Sequence, residues 1–148
     1  PGSRVMHIEN LVVGQSASLT CEVSQEVINA FAKVTGDHNP VHVDPEFASG
    51  TMFKGVIAHG MLLASYISAV LGTQLPGAGA IYMRQALKFC APVHPGDTVV
   101  TICTVKEIIP EKERVIMETI CKVGDTLVLE GEATLMVPSG TRPDKAQG

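Results

Sequence analysis

The run Thr35-Gly36-Asp37-His38-Asn39-Pro40-Val41-His42-Val43-Asp44 sets two acids, two imidazoles, an amide and a proline between apolar segments. Pro40 has no N–H and turns Asn39 away from helix, so the run is a loop or a broken helix end. Asp37 and His42 stand five residues apart and would not share one face of a straight helix. With the chain bent at Asn39-Pro40, both can reach one water. There one group takes a proton while its neighbour holds or gives one. Asn39 can orient Asp37 or donate to a carbonyl. The competing reading is a capping loop. In it Asp37 and Asn39 satisfy backbone N–H groups and His42 lies on the surface, because Gly-Asp and Asn-Pro are ordinary turn pairs.

Gly60 is the second candidate. It opens an apolar segment, Met61 to Leu71, broken only by Ser65, Tyr66 and Ser68. The first N–H groups of a helix lack internal partners and carry the positive dipole end. An N–H at Gly60 facing the Asp37–His42 loop can stabilise a developing oxyanion. Without a Cβ, Gly60 also lets another molecule approach the backbone; the plainer alternative is a flexible start to a helix. Ser68 can project into the same cavity, although a mid-helix serine more often bonds a carbonyl one turn back. His59 can orient the site or simply pack behind it. His94, before Pro95-Gly96, is expected to be an exposed turn residue.

A metal site competes for this loop, since His38, His42 and Asp44 are ligand types. Their spacing fits neither H-E-x-x-H nor a Cys/His zinc pattern, so no metal is expected. No G-x-S-x-G, G-x-G-x-x-G or Walker run occurs, which leaves out the serine-hydrolase elbow and the common nucleotide folds.

The elements that must position these residues follow from pattern. Ala17–Val23 reads as a first strand. Ser24 reads as an N-cap, and Val27, Ile28, Phe31 and Val34 recur at helical spacing until Gly36, a left-handed stop. The segment after Gly60 is apolar nearly all round, so it is a helix buried on most sides, closed by Gly72. Ala80–Phe89, Thr98–Ile109, Val115–Val123 and Thr126–Val137 read as strands rich in Ile, Val and Thr. Pro95-Gly96 fits a type II turn, and Glu111–Arg114 and Gly124-Asp125 are hairpin reversals. The prediction is an α+β chain whose curled antiparallel sheet wraps one central helix, with a second subunit as the simplest cover for its open face.

Bulk properties narrow the function. One domain is expected over residues 1–148, with loosely ordered ends at 1–10 and 139–148; Pro1-Gly2-Ser3 reads as an artificial leader remnant. A hydrophobic share of 45% against 18% charged residues indicates a globular chain. A net charge of −4, no basic cluster and no Trp argue against nucleic acid or an anionic membrane surface as partner. Cys21, Cys90, Cys103 and Cys121 form no C-x-x-C pair and read as buried thiols of a reducing compartment. With no secretory leader or bilayer-length apolar run read in the sequence, a cytoplasmic location is expected.

Phe31-Ala32-Lys33-Val34-Thr35-Gly36-Asp37-His38-Asn39-Pro40-Val41-His42, followed by Phe47-Ala48, resembles the hydratase-2 motif of the MaoC-like family, the (R)-specific enoyl-CoA hydratases of the hot-dog fold. Ile57-Ala58-His59-Gly60-Met61-Leu62-Leu63-Ala64-Ser65 is similar to that family's central-helix segment. Leu75-Pro76-Gly77 and Pro92-Val93-His94-Pro95-Gly96-Asp97 resemble its later landmarks. The likeness runs from about Leu11 to Pro138, and its nearest form is the small single-domain bacterial type that feeds polyhydroxyalkanoate synthesis. The resemblance implies a hot-dog homodimer acting on acyl-CoA thioesters, with no cofactor. It implies reversible syn hydration of trans-2-enoyl-CoA to (R)-3-hydroxyacyl-CoA. It also implies roles: Asp37 and His42 as the catalytic dyad, Asn39 as a supporting amide, Gly60 as the oxyanion-hole glycine and Ser68 as a lining residue. His59 is taken with Ser68 as a substrate-binding candidate. Two alternatives stand next to it. One is a 3-hydroxyacyl-[acyl carrier protein] dehydratase, for which Lys54, Arg84 and Lys88 are candidate carrier contacts. The other is a non-catalytic acyl-thioester-binding module. A hot-dog thioesterase fits less well.

Overall fold

The computed structural model describes residues 5–141. Its order is β1 (Ser16–Val23), α1 (Gln25–Thr35), α2 (Pro40–Val43), α3 (Pro45–Ser49), α4 (Gly60–Thr73), β2 (Ile81–Phe89), β3 (Asp97–Ile109), β4 (Arg114–Val123) and β5 (Thr126–Met136). The strands form one antiparallel sheet in the order β1-β3-β4-β5-β2, with β1 and β2 at its edges. This is the hot-dog arrangement: α4 lies in the concave face of the sheet.

Alternation places the core. Val99, Thr101, Cys103 and Val105 of β3 and Val115, Met117, Thr119 and Cys121 of β4 are buried at every second position. They meet Leu62, Leu63, Ile67, Val70 and Leu71 of α4. Truncating a fully buried residue such as Ile67 to Ala would cost about 2–5 kcal/mol. The two buried threonines are satisfied: Thr101 Oγ1 pairs with Cys121 Sγ at 3.3 Å, and Thr119 Oγ1 accepts from Gln85 at 3.0 Å. Turn chemistry holds as expected. Asp97 N–H donates to His94 O at 3.0 Å with Gly96 at φ +97°, and His94 is exposed. Val123 pairs with Thr126 across Gly124-Asp125.

Several expectations are corrected. Gly72 does not close α4; the helix runs to Thr73, and Gln74 N–H still donates to Val70 O. The helix is buried on most sides, as expected, with one open stripe along which Met61, Ser65, Ser68 and Gly72 are exposed. Val34 is 85% exposed, because it stands about 240° around α1 from the buried Ile28. Cys90 is exposed, unlike buried Cys103 and Cys121 and half-buried Cys21. The ends were expected to be loose, but their described parts are tied together. Ile8 is buried and its N–H donates to Pro138 O, while Glu9 accepts from Ser139 and Gly140. Pro1-Gly2-Ser3 and the chain beyond residue 141 lie outside the described residues. No helix among the described residues is long and apolar enough to cross a membrane.

Candidate active site

The motif run folds by repeating one local device. Ser24 Oγ caps α1 at Val27 N–H, and Gly36 ends it at φ +82°. Asn39 Oδ1 then accepts from Val41 N–H to start α2, and Asp44 Oδ1 accepts from Glu46 and Phe47 N–H to start α3. The last two caps each precede a proline at the first helical position, so Asn39-Pro40 and Asp44-Pro45 make two short helices where a loop or broken helix end was expected. Asp37 Oδ1 accepts from Asn39 N–H at 3.2 Å, and Thr35 Oγ1 accepts from Asp37 N–H at 3.1 Å. The capping part of the competing reading is therefore real. Its other part is not: His42 is half-buried, and its Nδ1 lies 2.7 Å from Ile57 O.

That contact fixes the proton. A carbonyl only accepts, so Nδ1 carries the hydrogen and, in the neutral ring, Nε2 is bare. The His42 ring stacks on His59 with centroids 3.9 Å apart and planes at 28°. His59 is 2% exposed, touches Phe31 at 5.0 Å, and holds Asp37 O at 3.0 Å through Nε2. A carboxylate oxygen of Asp37, a ring nitrogen of His42 and a ring nitrogen of His59 lie within 4.8 Å of one another. One water with two hydrogen bonds of ordinary length spans up to about 5.6 Å, so it can bridge Asp37 and His42.

The same three groups are metal-ligand types, a different set from His38, His42 and Asp44. Each ring already gives one nitrogen to a carbonyl, and the stacked rings hold their in-plane lone pairs in neighbouring planes rather than at a common point. Asp44 spends an oxygen on capping α3, and His38 is exposed.

Gly60 is the first residue of α4. Its N-cap, His59, turns its side chain toward Asp37 and gives no side-chain cap; Leu62 N–H donates to His59 O at 3.1 Å, and the Gly60 and Met61 N–H groups remain for another acceptor. Gly60 and His42 line one cavity of about 390 Å³, walled by apolar residues including Leu63, Phe89 and Val93. An added Cβ on Gly60 would stand 2.4 Å from the Phe89 ring, so the absent side chain is what admits that close approach.

Of the other predicted residues, Asn39 is exposed in the loop between Asp37 and His42. Ser68 is not brought to them within one protomer. It is exposed and lines a separate hollow with Ser65, Tyr82 and Gln85, two turns further along α4. His59, expected beside the substrate, is instead walled in behind His42. Lys54 and Arg84 are exposed, and Lys88 lines a groove on the outer sheet face with Lys106 and Glu130. Sequence reasoning missed Gln25, whose amide donates to His42 O at 3.0 Å, and the Ile57 carbonyl. No local pattern marks either; the partners lie 17 and 15 residues away.

Fold and site together define a hot-dog domain with an acid–imidazole pair next to the uncapped start of its central helix. The chain belongs to the MaoC-like family: a family model described as a MaoC like domain matches residues 11–131. An (R)-specific enoyl-CoA hydratase of Rhodospirillum rubrum is 53% identical over 133 residues, covering 90% of this chain and 92% of the relative. A 3-hydroxybutyryl-CoA dehydratase of Methylorubrum extorquens is 46% identical over 144 residues, covering 97% and 92%. The solved (R)-hydratase of A. caviae, described as involved in PHA biosynthesis, superposes with a TM-score of 0.85 at 41% identity, covering 88% of this chain and 99% of that one.

Proposed function

We propose that this protein is an (R)-specific enoyl-CoA hydratase, a hydro-lyase that adds water reversibly across trans-2-enoyl-CoA. The observation that carries the reading is the placement of Asp37 and His42 within one water's span, with His42 sharing a cavity with Gly60. Asp37 and His42 hold the water and take its proton as the oxygen bonds to C3. The double bond opens toward the thioester, whose oxygen gains enolate charge and accepts from the Gly60 N–H. The proton returns to C2 from the same side, giving syn addition. The close pair shares the proton as one unit. Asn39 supports the loop that presents Asp37, and Ser68 joins the acyl-binding surface.

The balance is redox-neutral, so the reaction as written calls for no electron-carrying cofactor and treats the CoA thioester as substrate. Both close relatives carry CoA names, which favours CoA over a carrier protein. The intact acid–imidazole pair favours an enzyme over a passive binding module. A homodimer is part of the reading: edge strand β2 exposes Ile81, Tyr82, Met83 and Phe89 beside the exposed stripe of α4, an apolar surface suited to a second copy. A cytoplasmic site suits four unpaired thiols, and supply of (R)-3-hydroxyacyl units for PHA polymer is the outlet that the A. caviae neighbour suggests.

The test is crotonyl-CoA hydration followed at the enoyl absorbance, with chiral analysis of the product. Asp37→Asn and His42→Gln are expected to lose two or more orders of magnitude in kcat while the assembly persists, the range of about 10²–10⁴ for a positioned acid or base. Near-normal turnover by either folded variant refutes the dyad, and thiol release without hydration would indicate a thioesterase.

A further inference from the structure

We infer that His59 is a positioning residue, whose Nε2–H fixes the main chain of Asp37 while its ring backs His42. The inference rests on the hydratase reading above and concerns what holds the dyad in register.

His59 is 2% exposed and packed between Phe31 and His42, a place where an aromatic hydrocarbon would fit. Its Nδ1 is buried with no hydrogen-bond partner among the described residues. A buried polar atom without a partner is destabilising by about 1–3 kcal/mol, so a residue kept only for packing would be Phe or Leu. What the imidazole supplies and Phe lacks is the donor 3.0 Å from Asp37 O.

The tautomer follows from that contact. The carbonyl only accepts, so Nε2 must carry the hydrogen, and in the neutral ring Nδ1 is the bare atom. The opposite tautomer fails twice: it buries an N–H with no acceptor and sets two lone-pair atoms facing each other.

Position makes the contact consequential. Ile57 O holds His42 Nδ1, and Ile57 N–H donates to Val41 O at 3.2 Å. Ala58 N–H donates to Val93 O at 2.7 Å and anchors the segment to the start of β3's turn. His59 holds Asp37 and stacks on His42, and Gly60 begins α4. Four consecutive residues therefore index the acid, the imidazole and the N–H donor against one another. Releasing the Asp37 carbonyl unties the Gly36–Asn39 turn from the start of α4 while its own local bonds persist, and a shift of about 1 Å at the carboxylate is enough to cost about 10²-fold in rate.

The experiment compares wild type, Asp37→Asn, His59→Phe, His59→Gln and His59→Asn on crotonyl-CoA, with melting and assembly size measured for each. Gln presents an amide donor at the height of Nε2; Asn presents one at the height of Nδ1; Phe keeps the ring alone. His59→Phe is expected to lose about 10²-fold in kcat with KM changed less than about threefold, since ground-state binding is untouched. His59→Gln recovers most of the loss and His59→Asn does not. In the wild type, ¹⁵N imidazole shifts and couplings show His59 protonated at Nε2 and bare at Nδ1. Wild-type kcat in His59→Phe, equal loss in the Gln and Asn variants, or a proton on Nδ1 overturns the inference, and the last readout stands even where a variant fails to fold. A wild type that does not hydrate, or an Asp37→Asn enzyme as active as wild type, sinks the hydratase reading instead.

Discussion

Gly60→Ala separates chemistry from folding more cleanly than any other single change in this domain. The added methyl would stand 2.4 Å from Phe89 Cε1 and 2.6 Å from Cδ1, so the ring must retreat by about 1 Å to reach ordinary contact. Phe89 is 54% exposed on an edge strand, and turning its ring off a staggered rotamer costs about 0.5–1.5 kcal/mol. Alanine returns up to about 1 kcal/mol of helix propensity over glycine, less at the first turn. Gly60 is not held at positive φ, so alanine adds no backbone strain. The contributions nearly cancel, and the melting temperature is expected to move by no more than about 4 °C. The activity change is of another order. The methyl occupies the approach to the α4 N–H groups and holds a thioester oxygen beyond hydrogen-bond reach. Loss of one such donor costs about 10²–10³ in kcat. The assay is crotonyl-CoA hydration at saturation, alongside calorimetry. Gly60→Ala with Phe89→Ala is the control: it removes the ring contact and leaves the methyl. Restored activity in the double variant would trace the loss to Phe89, and near-normal kcat in folded Gly60→Ala would refute the oxyanion argument.

Two further outcomes follow from the thiols. Cys90 is exposed and lines the cavity with His42 and Gly60, so a thiol-reactive disulfide should modify it first, and crotonyl-CoA should slow that reaction; unprotected labelling would separate this cavity from the substrate site. Burial, aided by the neighbouring Cys121, pushes the Cys103 thiol from 9.0 up to about 12, and burial also raises Cys121. A raised folded value means that stability is whole below about pH 9 and falls as pH climbs toward 12, because unfolded thiols release protons that the folded ones keep. Denaturant melts between these limits should lose up to about 1.4 kcal/mol per pH unit for each such group, and Cys103→Ala should flatten the slope; a flat profile in the unaltered protein would refute the burial argument.

Much of this architecture was legible because it is written locally. Ser24, Gly36 and the Pro95-Gly96 turn each announce a backbone conformation through their own chemistry, and the structure has all three. Strand limits agree to within a residue because Ile, Val and Thr alternate on a half-buried sheet. What failed was relational. The Met61–Leu71 composition reads as buried on most sides, which it is, but it does not say which stripe stays open; the sheet's curvature leaves Met61, Ser65 and Ser68 outside. Ser68 belongs to the same helix as Gly60, yet it stands two turns on and about 80° round, over the Tyr82–Leu87 stretch of β2 rather than Phe89. Asp37 and His42 were legible as a pair, whereas the carbonyl and the imidazole that hold them come from a segment 15 to 22 residues away.

The candidate site also shows why so few polar groups suffice. Asp37 gives one carboxylate oxygen to Asn39 N–H, and the other takes no hydrogen bond from any described side chain or backbone group. His42 gives Nδ1–H to Ile57 O, and its Nε2 has no hydrogen-bond partner among the described residues. Gly60 belongs to the first turn of α4, yet its N–H has no place in the helix ladder. In each residue one atom is spent on the fold and its neighbour is left for chemistry. Structure therefore sets the direction in which the second atom points, without a dedicated scaffold residue for each. It follows that Asp→Asn can erase the reactive atom, and Gly→Ala can block the approach to it, while the structural atom stays in place. Loss of rate in a variant that melts like its parent then reports on the reaction, not on the loop that carries it.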